Sequence, residues 1–257
     1  MKRMMQKGWR PLLVLILLIM AWEFSYHFFN IPDWLLPAPS SIVQEALIGW
    51  NEYAHHLLST VQLTLIGFLI GSSVGIIVAI GLHLIPLLRE AFYPLLIVSQ
   101  NIPIIVSAPL LVIWFGFGML PKVIVITLVC FFPITIATLD GFQQTSRELK
   151  HYMLMVGATK QQIFWKLEWP HALPSLFSGI KISATYSVMA AVISEWLGAN
   201  EGIGVYMTLA SSSFRTDRVF VSILLVVVLS LLFFTCIVYI EKRVIRWKQV
   251  EEGRVDE

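Results

Sequence analysis

Six long apolar segments leave this chain of 257 residues few ways to fold. They cover about Pro11 to Phe29, Leu57 to Ile85, Phe92 to Phe115, Met119 to Leu139, Leu176 to Leu197 and Val219 to Ile240. A bilayer core about 30 Å thick needs roughly 20 mostly apolar residues per spanning helix. Backbone polar groups in lipid must be satisfied within the segment or in a closed barrel. Runs such as "LLVLILLIM" do not alternate in polarity as barrel strands do. The expectation is therefore an all-α integral membrane protein with six transmembrane helices. The third and fourth segments are joined only by "GFGML", which requires a tight helical hairpin.

Composition agrees, with 57% hydrophobic and 13% charged residues against about 25% charged in soluble domains. The net charge of +2 says less than its distribution. With both termini cytoplasmic, 14 of the 18 Lys and Arg lie inside: Lys2, Arg3, Lys7 and Arg10; Arg89; Arg147, Lys150, Lys160 and Lys166; Lys242, Arg243, Arg246, Lys248 and Arg254. Three lie outside (Lys122, Arg215 and Arg218), and Lys181 falls within the fifth span. This imbalance follows the positive-inside rule and sets the expected orientation. The basic N-terminus before Pro11 resembles a signal peptide, but "WEFSYHFFNIPDW" offers no small-residue cleavage site, so the first segment reads as an uncleaved span.

Several chemistries lack their residues. There is no G-x-x-x-x-G-K-[ST] phosphate loop, H-E-x-x-H, G-x-S-x-G or C-x-x-C, and no His or Cys set has metal-ligand spacing. No catalytic and no metal site is expected. Cys130 and Cys236 sit in apolar runs and read as small hydrophobes. His55 and His56 read as a solvated or interfacial pair. Ionisable residues within spans are few (Glu23, His27, His83, Lys181 and Glu195), and most lie near span ends. An ion-coupled secondary carrier, the alternative reading, usually buries carboxylates or His near mid-membrane. Energy for uphill transport is therefore expected from another polypeptide.

Local signals refine the spans. The first outer loop, "NIPDWLLPAPSSIVQEALIGWNEYAHH", is extended around Pro37 and Pro39. Ser40 and Ser41 then offer N-caps for a surface helix of about Ile42 to Trp50, either a connector or a docking element. Gly67, Gly71 and Gly75 put small residues on one helix face for close packing. Pro94, Pro103 and Pro109 interrupt the third span. Ser99, Gln100 and Asn101 stand beside that kink, either facing a solute pathway or pairing with a neighbouring helix.

Residues 140–175 are too long and too patterned for a plain connector. Ser146 to Val156 has helical character, and Gly157 stops it. Thr159-Lys-Gln-Gln162 fits a capping box that starts a second short helix, about Lys160 to Leu167. Ile163, Phe164 and Leu167 share one of its faces, while Lys160, Gln161 and Lys166 point elsewhere. Pro170 and Pro174 are expected to end it. The product is a rigid cytoplasmic knob, serving either to dock a partner or to lie on anionic lipid.

The same segment resembles the coupling loop of permease subunits of binding-protein-dependent ABC importers. That motif has a Glu-Ala-Ala start, then a Gly, then an Ile-x-Leu-Pro. Gly157 matches the Gly, and "LEWP", Leu167 to Pro170, occupies the last place; His151, Tyr152 and Met153 stand where Glu-Ala-Ala is usual. "LLPAPSSIV", "IPIIVSAPLLVIWFGFGMLPKVIVI", "VGATKQQIFWKLEWPHALPSLFSGIKIS" and "SEWLGANEGIGVYM" are similar, in order, to the nitrate/sulfonate/taurine branch, including its importers of thiamine pyrimidine precursors. The resemblance spans nearly the whole chain and implies a single permease domain, residues 1–257, with a coupling loop at 140–175 in a bacterial inner membrane. It implies a second permease copy, a pair of cytoplasmic ATPase subunits that hold ATP and Mg, and an extracytoplasmic binding protein. No cofactor is expected in this chain, and nucleic acid is not an expected partner. By resemblance, Gly157, Thr159, Lys160, Ile163, Phe164, Leu167 and Pro170 are the coupling residues. Ser99, Gln100, Asn101, Ser194 and Glu195 are the pathway residues, Ser194 and Glu195 lying before Gly198, Gly202 and Gly204. Glu195 serves equally well as a cap or a pairing group within the bundle.

Overall fold

The computed structural model describes residues 2–245; Arg246, Lys248 and Arg254, three of the basic residues counted for the C-terminus, lie outside them. Among the described residues the secondary structure is entirely helical. The order is α1 (Lys2–Phe29), α2 (Pro39–Ile48), α3 (Trp50–Leu84), α4 (Pro86–Ser99), α5 (Ile104–Phe115), α6 (Met119–Gln143), α7 (Arg147–Met155), α8 (Lys160–Ile163), a π turn (Phe164–Glu168), α9 (Trp169–Glu195), α10 (Ile203–Ser212) and α11 (Thr216–Val244). Five helical stretches among the described residues are long and apolar enough to cross a membrane: Trp9–Phe29, Trp50–Leu84, Met119–Gln143, Lys160–Glu195 and Thr216–Val244.

The expected third span is not one helix. It is two, α4 and α5, separated at Gln100–Pro103. Pro103 lacks an N–H and disfavours helical backbone at Ile102. It then serves as the extended N-cap of α5, with φ −63° and ψ 123°. Gly116 and Gly118, at φ +77° and +145°, turn the chain from α5 into α6, so the tight hairpin forms as read.

The chain forms two compact units. Of the described residues, one unit comprises those up to Ser59 together with Asn200–Val226; the other comprises Thr60–Ala199 and those from Val227 to Ile245. In the first, Ile42, Tyr53, Tyr206 and Val221 form a core flanked by Trp22 and Phe220. Helix α2 is not capped by Ser40 or Ser41. Ala38 holds the extended N-cap conformation and Pro39 takes the first turn, where its missing N–H costs nothing. Ser40 is thereby turned toward Glu23 of α1. Its N–H donates to Oε2 at 3.1 Å and its hydroxyl to Oε1 at 2.7 Å. A carboxylate from another helix thus caps α2, where the helix dipole favours negative charge. His56 is not solvated: it is buried, and its Nδ1 accepts from the Gly202 N–H at 3.0 Å. Arg218 donates to Glu45 at 2.9 Å and to Glu52 at 2.6 Å.

In the second unit the glycine reading holds. A Cβ added to Gly67 would lie 2.6 Å from Cβ of Ile126, and one on Gly71 would lie 2.8 Å from Cβ of Cys130. Helices α3 and α6 therefore touch backbone to side chain, as small-residue faces permit. Gly179 does the same for α6 against α9, where an added Cβ would lie 2.8 Å from the Pro133 carbonyl. The core lies along this contact and includes Ile126, Cys130, Ile134, Leu176, Ala184 and Ala191.

Candidate functional site

The segment between α6 and α9 has the build of a pre-organised knob. Ser146 caps α7 by accepting from the Leu149 N–H at 3.3 Å. Gly157, at φ +82°, ends that helix. Its N–H donates to Leu154 O at 3.0 Å, and the Ala158 N–H donates to Met153 O at 2.9 Å. These two bonds are the Schellman pattern, which needs a residue that tolerates the left-handed region. Thr159 then opens α8 with both halves of the capping box. Its N–H donates to Gln162 Oε1 at 2.8 Å, and its hydroxyl accepts from the Gln162 N–H at 3.3 Å.

Pro170 and Pro174 do not end this helix. The chain continues from α8 through the π turn into α9, giving one helical stretch over Lys160–Glu195. The Trp169 N–H reaches back to Phe164 O, one residue further than in an α-helix. That wider turn absorbs the Pro170 ring, and Pro170 falls in the first turn of α9, where no N–H is required. The knob is therefore a rigid extension of a spanning helix.

Its apolar residues divide into two sets. Ile163 and Phe164 are buried, and Leu167 is half-buried. The Phe164 ring packs 5.7 Å from Phe142 and 6.2 Å from Trp169, centroid to centroid, and Ala172 completes this small core. These residues anchor the knob. The second set points away from it: Met155 is 80% exposed, Val156 64%, Tyr152 60%, Trp165 56% and Leu154 52%. Thr159, Lys160, Gln161 and Lys166 are also exposed, and Pro170 is half-buried. Several large apolar side chains left bare beside basic ones is the composition of a docking surface.

An ion-pair network that local spacing did not reveal fastens the base of the knob. Glu168, in the π turn, takes Lys150 Nζ at 2.6 Å on Oε1 and lies 2.8 Å from His83 Nε2 on Oε2. The His83 ring stacks on Phe142 at 4.2 Å. The end of α3, the middle of α7 and the start of α9 are thus pinned at one point. Residues 85 apart leave no periodic signal in a single sequence.

The pathway residues fall into two sets with separate bonds. Ser99 donates to Leu96 O at 3.1 Å and Asn101 to Ile97 O at 2.6 Å, closing the end of α4, while Gln100 is exposed. Ser194 donates to Ala191 O at 2.7 Å. Glu195 is 1% exposed and accepts from the Thr60 hydroxyl at 2.7 Å, which favours the pairing role for it. None of these bonds links one set to the other.

Residues 71–246 match the family described as binding-protein-dependent transport system inner membrane component. The chain is 35% identical over 250 residues to the formylaminopyrimidine transport permease protein ThiX of Halalkalibacterium halodurans, covering 97% of this chain and 99% of that one. It is 27% identical over 250 residues to the putative aliphatic sulfonates transport permease protein SsuC of Bacillus subtilis, covering 96% and 90%. Its fold matches a solved chain, from a crystal structure of an amino acid ABC transporter with histidines, at a TM-score of 0.65 and 15% identity, covering 77% of this chain and 96% of that one. This chain belongs to the family of inner membrane components of binding-protein-dependent transport systems, in its nitrate/sulfonate/taurine branch.

Proposed function

We propose that this chain is the permease subunit of an ATP-driven importer, working as a homodimer with two cytoplasmic ATPase subunits and an extracytoplasmic binding protein. The ATPase pair holds ATP and Mg. Its closure pushes on the knob, and the rigid α8–α9 stretch carries the movement into the membrane. In this reading residues 1–257 form one permease domain, and the broken α4–α5 pair counts as the third of six spans. The 14 to 3 distribution of Lys and Arg supports a cytoplasmic position for both termini and the knob, in a bacterial inner membrane.

One observation carries the reading. A loop pinned by a Schellman stop, a capping box and the Glu168 ion pairs presents bare apolar side chains at the start of a helical stretch long and apolar enough to cross a membrane. Gly157 and Thr159 give the knob its shape; Ile163, Phe164, Leu167 and Pro170 seat it; Lys160 and its exposed neighbours meet the ATPase. The solute is a small molecule of the kind named for the relatives, with a thiamine pyrimidine precursor ahead of a sulfonate, taurine or nitrate-like anion because ThiX has the higher identity. Ser99, Gln100, Asn101, Ser194 and Glu195 lie along or beside its path.

The test is purification of a tagged chain with its partners from membranes. An ATP-hydrolysing subunit should co-purify, and vesicles bearing the complex should take up solute only with ATP and binding protein. Uptake by this chain alone under an ion gradient would establish a secondary carrier instead.

A further inference from the structure

We propose that the cavity beside Lys181 and Tyr186 is a solute subsite for a neutral, planar heterocycle bearing hydrogen-bond donors and acceptors. The proposal rests on the permease reading above. The cavity is an open groove of about 460 Å³, lined by Ser178, Lys181, Ile182, Thr185 and Tyr186 of α9 with Phe234 of α11. That volume falls within the range of small-molecule sites, about 300–1,000 Å³. Residues 178, 181, 182, 185 and 186 recur at helical spacing, so one face of α9 carries them all.

Lys181 lies 12 residues beyond Trp169 in a spanning helix, where an ionisable side chain marks a pathway or a buried pair. It is paired. Lys181 Nζ donates to Glu241 at 2.8 and 3.1 Å, and Glu241 stands two turns beyond Phe234 on α11. This pair decides what the cavity can hold. It carries no net charge, so an entering anion gains no uncompensated cation and faces the Glu241 carboxylate. An ammonium has three N–H donors, and two carboxylate oxygens leave at least one for a ring nitrogen or carbonyl. Ser178 and Thr185 donate their hydroxyls to Pro174 O at 3.0 Å and Lys181 O at 3.3 Å, so their oxygens remain acceptors for exocyclic amines. Tyr186, 48% exposed, and Phe234 supply aromatic faces against which a flat ring can stack. An aminopyrimidine meets every one of these features; an aliphatic sulfonate can accept from the remaining Lys181 N–H, but its charge faces the Glu241 carboxylate and it offers neither a donor to the two hydroxyl oxygens nor a flat ring to the aromatic faces.

The experiment uses the reconstituted complex with binding protein. Uptake of a labelled 4-aminopyrimidine is measured against competition by ethanesulfonate. Tyr186→Ala should raise KM about fivefold, the loss of one aromatic contact, and leave ATP hydrolysis within twofold of the starting protein. Tyr186→Phe should restore KM, and a tenfold excess of ethanesulfonate should not compete. In a Cys236→Ala background, Thr185→Cys should react with a water-soluble cationic thiol reagent and be protected by the aminopyrimidine. An unchanged KM in Tyr186→Ala overturns the subsite. So does a Thr185→Cys that stays unreactive because lipid or a second copy fills the cavity. ATP-driven uptake of ethanesulfonate without the aminopyrimidine overturns the subsite and leaves the importer reading intact. A complex in which ATP drives no uptake at all overturns the importer reading and the subsite with it.

Discussion

Lys150 Nζ lies 2.6 Å from Oε1 of Glu168, and this contact fastens the first helix of the knob to the root of the long helix that follows. The second carboxylate oxygen meets His83, so Glu168 serves both partners at once. The Glu168 side chain is 12% exposed, which sets its contribution well above that of a surface pair.

Glu168→Gln should therefore cost about 2 kcal/mol, the scale of a lost hydrogen bond to a charged group. The midpoint of thermal unfolding in detergent should fall. Lys150→Met should cost less, because Lys150 keeps more contact with solvent, and its effect should shrink once Glu168 is already Gln. Equal melting of Glu168→Gln and the starting protein would show that the network contributes nothing.

The contact between α3 and α6 predicts a contrast between two glycines of one helix. Gly71→Ala forces a Cβ to within 2.8 Å of Cys130 Cβ and Thr127 O, while an added Cβ at Gly81 meets nothing within 4 Å. Gly71→Ala should destabilise by about 1–3 kcal/mol through overpacking. Gly81→Ala should be neutral or stabilising by up to about 1 kcal/mol, as expected for alanine in a helix interior. Melting curves of the two variants side by side check this, and equal effects would count against the close approach.

Gly157→Ala should act locally. Its φ of +82° suits glycine and strains any residue with a Cβ, at a cost of about 1–3 kcal/mol. The loss should appear as faster amide hydrogen exchange across residues 158–163, with the exchange of α6 unchanged. Protection equal to that of the starting protein would mean that the Schellman stop does not hold the knob.

Much of this was legible because it depends on neighbours in the chain. The capping box at Thr159 and Gln162, the stop at Gly157, the hairpin at Gly116 to Gly118 and the glycine face of α3 all follow from short spacings. What escaped depends on distant partners. Glu23 takes over the capping of α2 from 17 residues away, and His83 meets Glu168 from 85 residues away. The prolines misled for a related reason. A π turn lets Pro170 enter a continuing helix, and no composition rule announces a π turn. The shared helical face of Ile163 and Phe164 was visible, but its direction was not: it turns inward, and Trp165 and Met155 are the residues left outside.

That inward turn makes the account testable at single residues. In vesicles carrying the assembled complex, ATP-driven solute uptake is measured for Trp165→Glu and Met155→Glu. Both variants should fold and insert, binding of the ATPase pair should weaken by about tenfold or more as an exposed aromatic or apolar anchor is lost, and uptake should fall with it. Ile163→Asp should instead fail to accumulate, because it buries a charge in the anchor. Full ATP-driven uptake and undiminished ATPase binding in both Trp165→Glu and Met155→Glu would contradict the claim that this surface receives the ATPase.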